Sequence, residues 1–278
     1  MTPGAQWRID DGPRADIVDA IAQRIAAARA TTSQTEMLPE ELYPLWEEVY
    51  LVHDRVHELL GQPAIGFKMG AASTEVQRAE GMPEPIVGRI YQHGVHPNHA
   101  VLGPELFIGY RLCESEFVLT LGEDLPEGSA PLDRSVVEAA VATVRPGLEV
   151  GDMVFPDWYA TNPFWGACLD NAGGSQLVLG DELPYTPGME LKHHTMRLYR
   201  NGEFVREGEG SAALGDPIDS ATWMVNLRRA RGDRITAGTL LSTGTCTGHC
   251  FAEAGDRMLV DFGTLGSVDL TFGPTHGA

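Results

Sequence analysis

Apolar positions recur at helical spacing in the first sixty residues. In residues 14–30, three isoleucines stand four residues apart, the spacing of one buried helix face. A second helical pattern covers residues 38–60, and Gly61 and Pro63 follow as stop signals. We therefore predict two helices at the start of the chain.

A different pattern follows, in which short apolar runs alternate with turn residues. AIGFKMG is a strand closed by glycine, residues 74–81 form a short helix, GMPEPIVGRI runs into an extended piece, and QHGVHPNH is a polar loop. Further strands are predicted at 111–121, 146–155, 175–179, 194–200 and 203–207, and in LLSTGTC, DRMLVDFG and GSVDLTF. Asn201-Gly202 between two alternating runs is a hairpin signal.

Two helices interrupt the strands, at 133–143 and at 217–230, where Asp216-Pro217 fits an N-cap and first helical residue. Helices first and many short strands afterwards indicate the α+β class with a large, mainly antiparallel β unit. We divide the chain into an N-terminal α/β portion, 1–100, and a β-rich metal-binding catalytic domain, 101–278.

Composition narrows the classes of partner. The 278 residues carry a net charge of −19, with 43% hydrophobic and 21% charged residues, as in a globular protein. A strongly acidic chain lacks the basic stripe of a nucleic-acid binder and would be repelled by anionic membranes. The N-terminus has no signal-peptide pattern, and no run of apolar residues is long enough for a transmembrane helix. We expect a cytoplasmic protein with four free cysteines.

Two acids stand inside the apolar strand RLCESEFVLTL. Side chains alternate along a strand, so Glu114 and Glu116 point to the same side, about 7 Å apart. One interpretation is a solvated outer face; the other is a cation site, because the two carboxylates otherwise repel each other. Glu149 in RPGLEVGD could complete a hard oxygen site for Mg²⁺ or Mn²⁺. Asp152, Asp157 and Asp170 are alternatives for the third ligand, and the pattern does not choose among them.

Lys68 lies within AIGFKMG, where a lysine is unusual because lysine is rarely buried without a partner. It either reaches solvent at the strand end or serves a carboxylate site as an acid, a base or an anion-binding group. The loop in LLSTGTCTGHC is rich in small residues and could wrap an anion with its N–H groups. Its Cys246, His249 and Cys250 lack a fourth zinc ligand at matching spacing.

The ordered set IGFKMG, GMPEPIVG, ESE, LEVGD, LDNAGG, EGSAALGDP, AGTLLSTG and EAGDRMLVDFGTLGSVDLTF resembles a known family. That family is the 2-oxopent-4-enoate hydratase and 4-oxalocrotonate decarboxylase branch of the fumarylacetoacetate hydrolase superfamily. The resemblance covers about residues 38–272. It implies the superfamily's mixed, mainly antiparallel β-sandwich or roll, and a homo-oligomer.

The resemblance also implies roles for single residues. Glu114, Glu116 and Glu149 match the ligands of a Mg²⁺ or Mn²⁺ ion that chelates a 2-oxo acid and acts as a Lewis acid. Lys68 matches a lysine that transfers a proton at the dienol. The residues that match pocket positions are Asp170, Asn171, Ser242, Thr243, Gly244 and Ile86.

The chain departs from the family pattern at the substrate end. Ile86 stands where hydratases usually carry an acid, and the decarboxylase branch also has isoleucine there. Met153 and Val154 replace a serine and an arginine of an Asp-Ser-Arg motif, and Gly173 and Gly174 replace two serines. The substrate end is therefore altered, whereas the metal-binding residues are kept.

The leading hypothesis is a metal-dependent lyase acting on a small 2-hydroxydienoate or 2-oxo acid, a 2-oxopent-4-enoate-type hydratase. The alternatives are a 2-oxo-3-enedioate decarboxylase, which Ile86 favours, and an acylpyruvate-type C–C hydrolase, for which the sequence offers no clear water-activating base. A catalytically silent homologue that serves as a partner subunit is a hypothesis of another class. It is motivated by the lost hydroxyls, and the retained glutamates and lysine oppose it.

Overall fold

The computed structural model describes residues 14–39, 45–79, 82–156 and 163–274. Its α-helices are α1 (Ala15–Ala30), α2 (Trp46–Leu60), α3 (Thr74–Ala79), α4 (Arg134–Ala140), α5 (Pro163–Leu169) and α6 (Pro217–Ala230). Its strands are β1 (Ala64–Gly70), β2 (Ile86–Tyr91), β3 (Val95–Pro97), β4 (Ala100–Leu102), β5 (Leu112–Leu121), β6 (Val141–Gly151), β7 (Gly174–Leu179), β8 (Leu183–Pro184), β9 (Thr195–Arg200), β10 (Glu203–Glu209), β11 (Leu240–Ser242), β12 (Cys250–Phe251), β13 (Arg257–Asp261) and β14 (Ser267–Phe272).

The strands form two mixed sheets. The larger has nine strands in the order β2-β1-β11-β5-β6-β7-β3, with β12 beside β5 and β8 beside β6. The smaller has the order β10-β9-β13-β14-β4. Three neighbouring pairs are parallel, namely β1 with β11, β3 with β7 and β4 with β14. The others are antiparallel, so the predicted α+β class with a mainly antiparallel β unit is confirmed.

The main hydrophobic core joins the two sheets. Phe117 on β5 meets Phe262, which follows β13, at a ring-centroid distance of 5.3 Å, and both side chains are fully buried. Edge-to-face aromatic pairs of this kind contribute beyond the area they bury. The long strands β5 and β6 are thereby fixed at the centre of the larger sheet.

Local signals set the ends of the helices. The Asp216 carboxylate accepts a hydrogen bond from Ile218 N at 2.8 Å and caps α6. Gly61 ends α2 in the left-handed region at φ 60°. The predicted start of α2 at residue 38 was wrong, because α2 begins at Trp46. Leu45 is extended, and its N–H is held by the Glu48 carboxylate at 2.7 Å; residues 40–44 lie outside the described ranges.

Long-range pairing changes two other predictions. The predicted loop QHGVHPNH contains β3, which forms a parallel pair with β7. Residues 141–145 belong to β6, because they pair with β5 and β8. The sequence pattern places residues 141–143 at the end of a predicted helix and leaves 144 and 145 unassigned. The short helix α5 was not predicted. The four cysteines, all within the described residues, form no disulfide.

The predicted boundary at residues 100 and 101 falls inside β4 of the smaller sheet, and it separates β1 to β3 from the other strands of the larger sheet. Strands β1 to β3 precede it, yet Lys68 on β1 is the register partner of Ser242 on β11. Separate folding of the two portions stays a prediction, and the hydrogen-bonded sheet argues against it. No helix in the described ranges is both long and apolar enough to cross a membrane.

A charged cluster also crosses this boundary. The Asp54 carboxylate on α2 accepts hydrogen bonds from Arg89 on β2 at 2.7 Å, from Arg228 on α6 at 3.2 Å and from Arg231 at 3.1 Å. Arg228 is only 1% exposed, and its guanidinium lies 5.2 Å from the centre of the Phe67 ring. Burial alone would raise the pKa of Asp54, but the three guanidinium groups hold that pKa well below its ordinary value.

We predict that Asp54→Asn lowers the free energy of unfolding by about 3 kcal/mol, because the buried Arg89 loses its carboxylate partner and Arg228 keeps only Asp233. The depressed pKa of Asp54 stabilises the fold above the unfolded-state pKa, and this contribution is lost as the pH falls through the folded-state pKa. Urea unfolding at pH 7 and at acidic pH measures both effects. The control is Glu58→Gln, which removes an exposed pair with Arg55 and is expected to change stability by less than about 0.5 kcal/mol. An Asp54→Asn protein as stable as wild type would contradict the prediction.

Candidate metal and active site

Three carboxylates converge on one face of the central strand pair. Glu114 and Glu116 lie on β5, and Glu149 on β6 is the direct register partner of Glu114. One carboxylate oxygen of each lies within 4.8 Å of the others. Glu116 is fully buried and Glu149 nearly so. The solvated-face interpretation of the glutamate pair is therefore wrong.

Each carboxylate is held by a different neighbouring segment. Glu116 Oε2 accepts hydrogen bonds from the Ser242 hydroxyl at 2.6 Å and from Gly244 N at 3.0 Å. Glu149 Oε1 lies 3.3 Å from Lys68 Nζ, and Glu114 Oε1 lies 3.2 Å from His249 Nε2. The three acids are thus oriented by three segments, which are β1, the end of β11 with the residues that follow it, and the loop before β12.

The environment of the cluster raises the pKa of two carboxylates and lowers that of the third. Burial, and then the charges of Glu149 and Glu114, raise the pKa of Glu116 well above its ordinary value. Burial also raises the pKa of Glu149, although the Lys68 charge opposes it. Burial would raise the pKa of Glu114 too, but its hydrogen bond to His249 and the charge of that ring lower it. The three groups cannot all be ionised cheaply without further positive charge.

The donor set fits a divalent cation. Glu116 Oε1 and Glu149 Oε2 are buried and receive no hydrogen bond from a donor in the described residues. Unsatisfied buried oxygens are costly, and a bound cation would satisfy them. Carboxylate oxygens without histidine or cysteine in the set are the ligands that hard ions such as Mg²⁺ and Mn²⁺ prefer.

Lys68 reaches this centre from β1 and is 3% exposed, so the interpretation as a solvent-reaching lysine is wrong. Its Nζ donates to the Ala172 carbonyl and contacts Glu149. Gly174 makes room for it: a Cβ at position 174 would lie 2.7 Å from Lys68 Cε. A larger residue at position 174 would therefore require the Lys68 side chain to shift.

A cavity of about 110 Å³ opens beside Lys68 and Glu114. Its wall also includes the side chains of Met69, Val76, Ile86, Leu112, Cys168, Thr245 and His249. Ile86 is thus at the cavity, as predicted from the resemblance. The described lining is mainly apolar, and Lys68 and His249 are its basic residues.

The predicted pocket residues that follow β11 do not line the cavity. Ser242 and Gly244 contact Glu116, whereas the Thr243 hydroxyl donates to the Phe117 carbonyl at 3.1 Å and is buried. Ser242, Thr243 and Gly244 are absent from the cavity wall. A direct contact of the three residues with substrate stays a prediction.

Asp170 and Asn171 lie outside the cavity wall. Asp170 forms a two-point pair with Arg29 on α1, at 2.9 and 2.8 Å, and accepts from Val154 N at 2.7 Å. Asn171 accepts from Arg89 N at 2.6 Å and donates to its carbonyl at 2.9 Å. Both side chains anchor the backbone around Ala172, so the predicted substrate contacts would require them to leave these bonds.

The alternative third ligands are also accounted for. Asp152 is buried and accepts hydrogen bonds from the N–H groups of Ile108, Gly109 and Tyr110 at 2.5 to 3.0 Å. Asp152 therefore organises the loop before β5 rather than the carboxylate centre. Asp157 lies outside the described residues. Sequence reasoning missed His249 as a neighbour of Glu114 and missed Arg29 altogether. No local signal marks either one, because both contacts join distant parts of the chain.

Comparisons with known proteins agree with this geometry, although no family model matches the chain. It is 30% identical to a 2-keto-4-pentenoate hydratase of Paraburkholderia xenovorans over 214 residues, 77% of each chain. It is 28% identical to a 4-oxalocrotonate decarboxylase of Pseudomonas putida over 244 residues, 88% of this chain and 89% of the relative.

Solved structures show the same fold. The 4-oxalocrotonate decarboxylase from Pseudomonas putida G7, complexed with magnesium and adipate, superposes with a TM-score of 0.83 at 26% identity over 92% of this chain and 97% of the other. A fumarylpyruvate hydrolase from Pseudomonas aeruginosa, at 18% identity and a TM-score of 0.57 over 77% of this chain and 91% of the other, shares the fold. The chain belongs to the family of 2-keto-4-pentenoate hydratases and 4-oxalocrotonate decarboxylases.

Proposed function

We propose that the protein is a divalent-metal-dependent lyase for a small 2-hydroxydienoate or 2-oxo acid, and that hydration of a 2-oxopent-4-enoate-type substrate is its main reaction. The observation that carries the proposal is the cluster of three carboxylates beside Lys68, of which Glu114 and Lys68 line the cavity. Membership of a family of hydratases and decarboxylases supports the reaction class.

The metal that we propose is Mg²⁺ or Mn²⁺, held by Glu114, Glu116 and Glu149. When bound, such an ion supplies positive charge for a carboxylate substrate and Lewis-acid polarisation of its 2-oxo group. This local charge would also offset the net charge of −19, which otherwise repels an anionic substrate. The magnesium and adipate in the related decarboxylase structure are consistent with a metal and a small carboxylate at this site.

We assign proton transfer at the dienol to Lys68. Its ammonium group lies between Glu149 Oε1 and the Ala172 carbonyl, at the edge of the cavity. From this position it can give or take a proton at the substrate while its two partners fix its orientation. Ser242 and Gly244 hold Glu116 by hydrogen bonds to one carboxylate oxygen.

Hydration is favoured over decarboxylation by the far wall. An enedioate would bring a second carboxylate to the end away from the glutamates, and the described lining offers no arginine or second lysine there. A monocarboxylic dienoate has an uncharged end, which apolar lining residues such as Met69 and Val76 can accommodate. Decarboxylation is the second candidate, because Ile86 in the wall replaces the acid that hydratases usually carry. We further propose a cytoplasmic homo-oligomer, in line with the family resemblance.

The first prediction from this proposal concerns turnover. With Mg²⁺ or Mn²⁺, the protein is expected to convert 2-hydroxypenta-2,4-dienoate to the 4-hydroxy-2-oxo acid, and to act more slowly on a 2-oxo-3-enedioate. Loss of the dienoate absorbance and NMR identification of products measure both, with a chelator as the metal-free arm. Release of CO₂ as the faster reaction would favour the decarboxylase, whereas no turnover with either metal would favour the silent homologue.

The second prediction concerns the metal. Glu116→Gln is expected to weaken Mn²⁺ binding at least about 100-fold, because it removes a ligand rather than an outer contact. The same change should raise the thermal midpoint of the metal-free protein, because one buried repulsive charge is removed. Titration calorimetry and thermal unfolding with and without Mn²⁺ give the two readings. Retention of wild-type Mn²⁺ affinity would refute the ligand assignment.

The third prediction concerns pH. Because folding raises the pKa of Glu116 and of Glu149, the metal-free protein is expected to lose stability as the pH rises from about 4.5 through the folded-state values. Saturating Mg²⁺ should abolish this loss, and binding should release protons. Calorimetric titrations in two buffers of different ionisation enthalpy count these protons. Metal binding without proton release at pH 6 would contradict the raised pKa values.

The fourth prediction concerns Lys68. Lys68→Met is expected to lower kcat by about 10²–10⁴-fold, the range for loss of a general acid or base, while Mn²⁺ still binds. The matched control is Lys192→Met, which changes the only other lysine of the sequence, an exposed one. Steady-state kinetics with each variant test the assignment, and a Lys68→Met protein as active as the control would remove it.

A further inference from the structure

We infer that Arg29 on α1 is a positioning residue of the active site. By holding Asp170, it fixes the turn that presents the Ala172 carbonyl to Lys68. The inference rests on the proposed function, because it concerns the lysine to which we assign proton transfer. It goes beyond that function because no residue of α1, a helix that the structure describes in full, belongs to the cavity wall.

The turn at residues 171–173 has a backbone conformation that most side chains disfavour. Asn171, Ala172 and Gly173 follow one another in the left-handed region, at φ values of 56°, 55° and 73°. Glycine adopts this region freely and asparagine tolerates it, but alanine carries an energetic cost there. Such a conformation persists only where the surrounding structure enforces it. The turn therefore depends on its anchors.

Arg29 ties both ends of this turn. Its Nε and Nη2 donate to the two carboxylate oxygens of Asp170 at 2.9 and 2.8 Å, and Nη2 also donates to the Asp152 carbonyl at 2.9 Å. Asp152 N in turn donates to the Gly173 carbonyl, and Gly173 N donates to the Asp170 carbonyl, each at 2.9 Å. The guanidinium thus joins the residue before the turn to the partner of its last residue.

The pair of Arg29 with Asp170 is buried and directional. The Asp170 side chain is 1% exposed and that of Arg29 is 17% exposed. A two-point pair between a guanidinium and a carboxylate fixes orientation as well as distance. Val154, which replaces an arginine of the family pattern, reaches Asp170 only with its backbone N–H. Within the described ranges, Arg29 is therefore the one cation in contact with Asp170.

The Ala172 carbonyl links this turn to the lysine. Lys68 Nζ donates to that carbonyl and lies 3.3 Å from Glu149 Oε1. A displaced turn would remove one of these two partners of the ammonium group. A misplacement of about 1 Å that originates far from the chemistry can lower a rate about 100-fold. Arg29 can therefore affect turnover without touching substrate, metal or Lys68.

The test uses Arg29→Ala in the full-length protein, with millimolar guanidinium as a replacement for the lost side chain. A cavity of about 150 Å³ beside Arg29 and Asp170 gives this small ion an entry. The first readings are kcat and KM for 2-hydroxypenta-2,4-dienoate, and Mn²⁺ affinity by titration calorimetry. The last reading is the NMR signal of the lysine ¹³Cε, which resolves two residues because Lys68 and Lys192 are the only lysines of the sequence.

We expect Arg29→Ala to lower kcat about 10- to 100-fold, with KM and Mn²⁺ affinity within about threefold of wild type. The Lys68 signal should move toward that of the exposed Lys192, because the ammonium group loses its carbonyl partner. Guanidinium should restore both kcat and the position of the Lys68 signal. This restoration separates a positioning role from a loss of fold.

The control is Arg24→Ala on the same helix, where Arg24 Nη1 reaches only the Glu36 carbonyl, at 3.5 Å. All readings of this variant should match wild type, and guanidinium should change none of them. The double variant Arg29→Met/Asp170→Asn removes both charges and leaves no buried carboxylate unpaired, so it serves if Arg29→Ala unfolds. It should show the same loss of kcat and the same shift of the Lys68 signal, without rescue by guanidinium.

Three outcomes overturn the inference. In the first, the thermal midpoint falls while kcat, measured below the unfolding transition, keeps its wild-type value, as a merely structural role requires. In the second, KM rises at unchanged kcat, which would assign Asp170 to the substrate. In the third, the Lys68 signal does not move. Failure of the proposed function is recognised by wild-type protein that turns over no dienoate, and the Lys68 signal and its rescue then still decide whether Arg29 positions the lysine.

Discussion

The mutual repulsion of three buried carboxylates is the constraint on which the rest of this site depends. Glu114, Glu116 and Glu149 are brought together by antiparallel pairing of β5 and β6, at the centre of the larger sheet and next to the main core. Two of the three pKa values are raised, so the metal-free fold stores an electrostatic cost. A bound divalent cation would relieve this cost, and carboxylates perturbed in this way are candidates for a functional site.

The surrounding structure limits this cost without removing it. Ser242 and Gly244 satisfy one oxygen of Glu116, while Lys68 and His249 each face one of the other carboxylates. These partners come from separate segments, so the site can assemble only when the sheet is complete. The arginine cluster around Asp54 also joins separate segments, because hydrogen bonds to Asp54 link α2 to β2 and to α6.

The two ends of the cavity are chemically different. The carboxylate end offers charge, a buried lysine and a histidine, whereas the far wall is mainly apolar. Glu114, Glu116, Glu149 and Lys68 match the family pattern, whereas Gly173 and Gly174 depart from it and Ile86 agrees with the decarboxylase branch. Gly174 packs closely against Lys68, because a Cβ there would lie 2.7 Å from Lys68 Cε. In the proposed function, the apolar lining would select the substrate tail, and the glutamates would hold the metal ion at which the substrate reacts.

The sequence by itself determined the local features of this protein. Alternation along β5 placed Glu114 and Glu116 on one side, helical spacing located α1 and α6, and Asn201-Gly202 located a hairpin, because each of these depends only on near neighbours in the chain. The ordered motifs added the family and the candidate ligand Glu149. Only the tertiary structure decided that Lys68 is buried, that Asp170 pairs with Arg29 and that His249 meets Glu114. Those contacts depend on strand register and on crossovers between segments more than a hundred residues apart, and no local pattern specifies them.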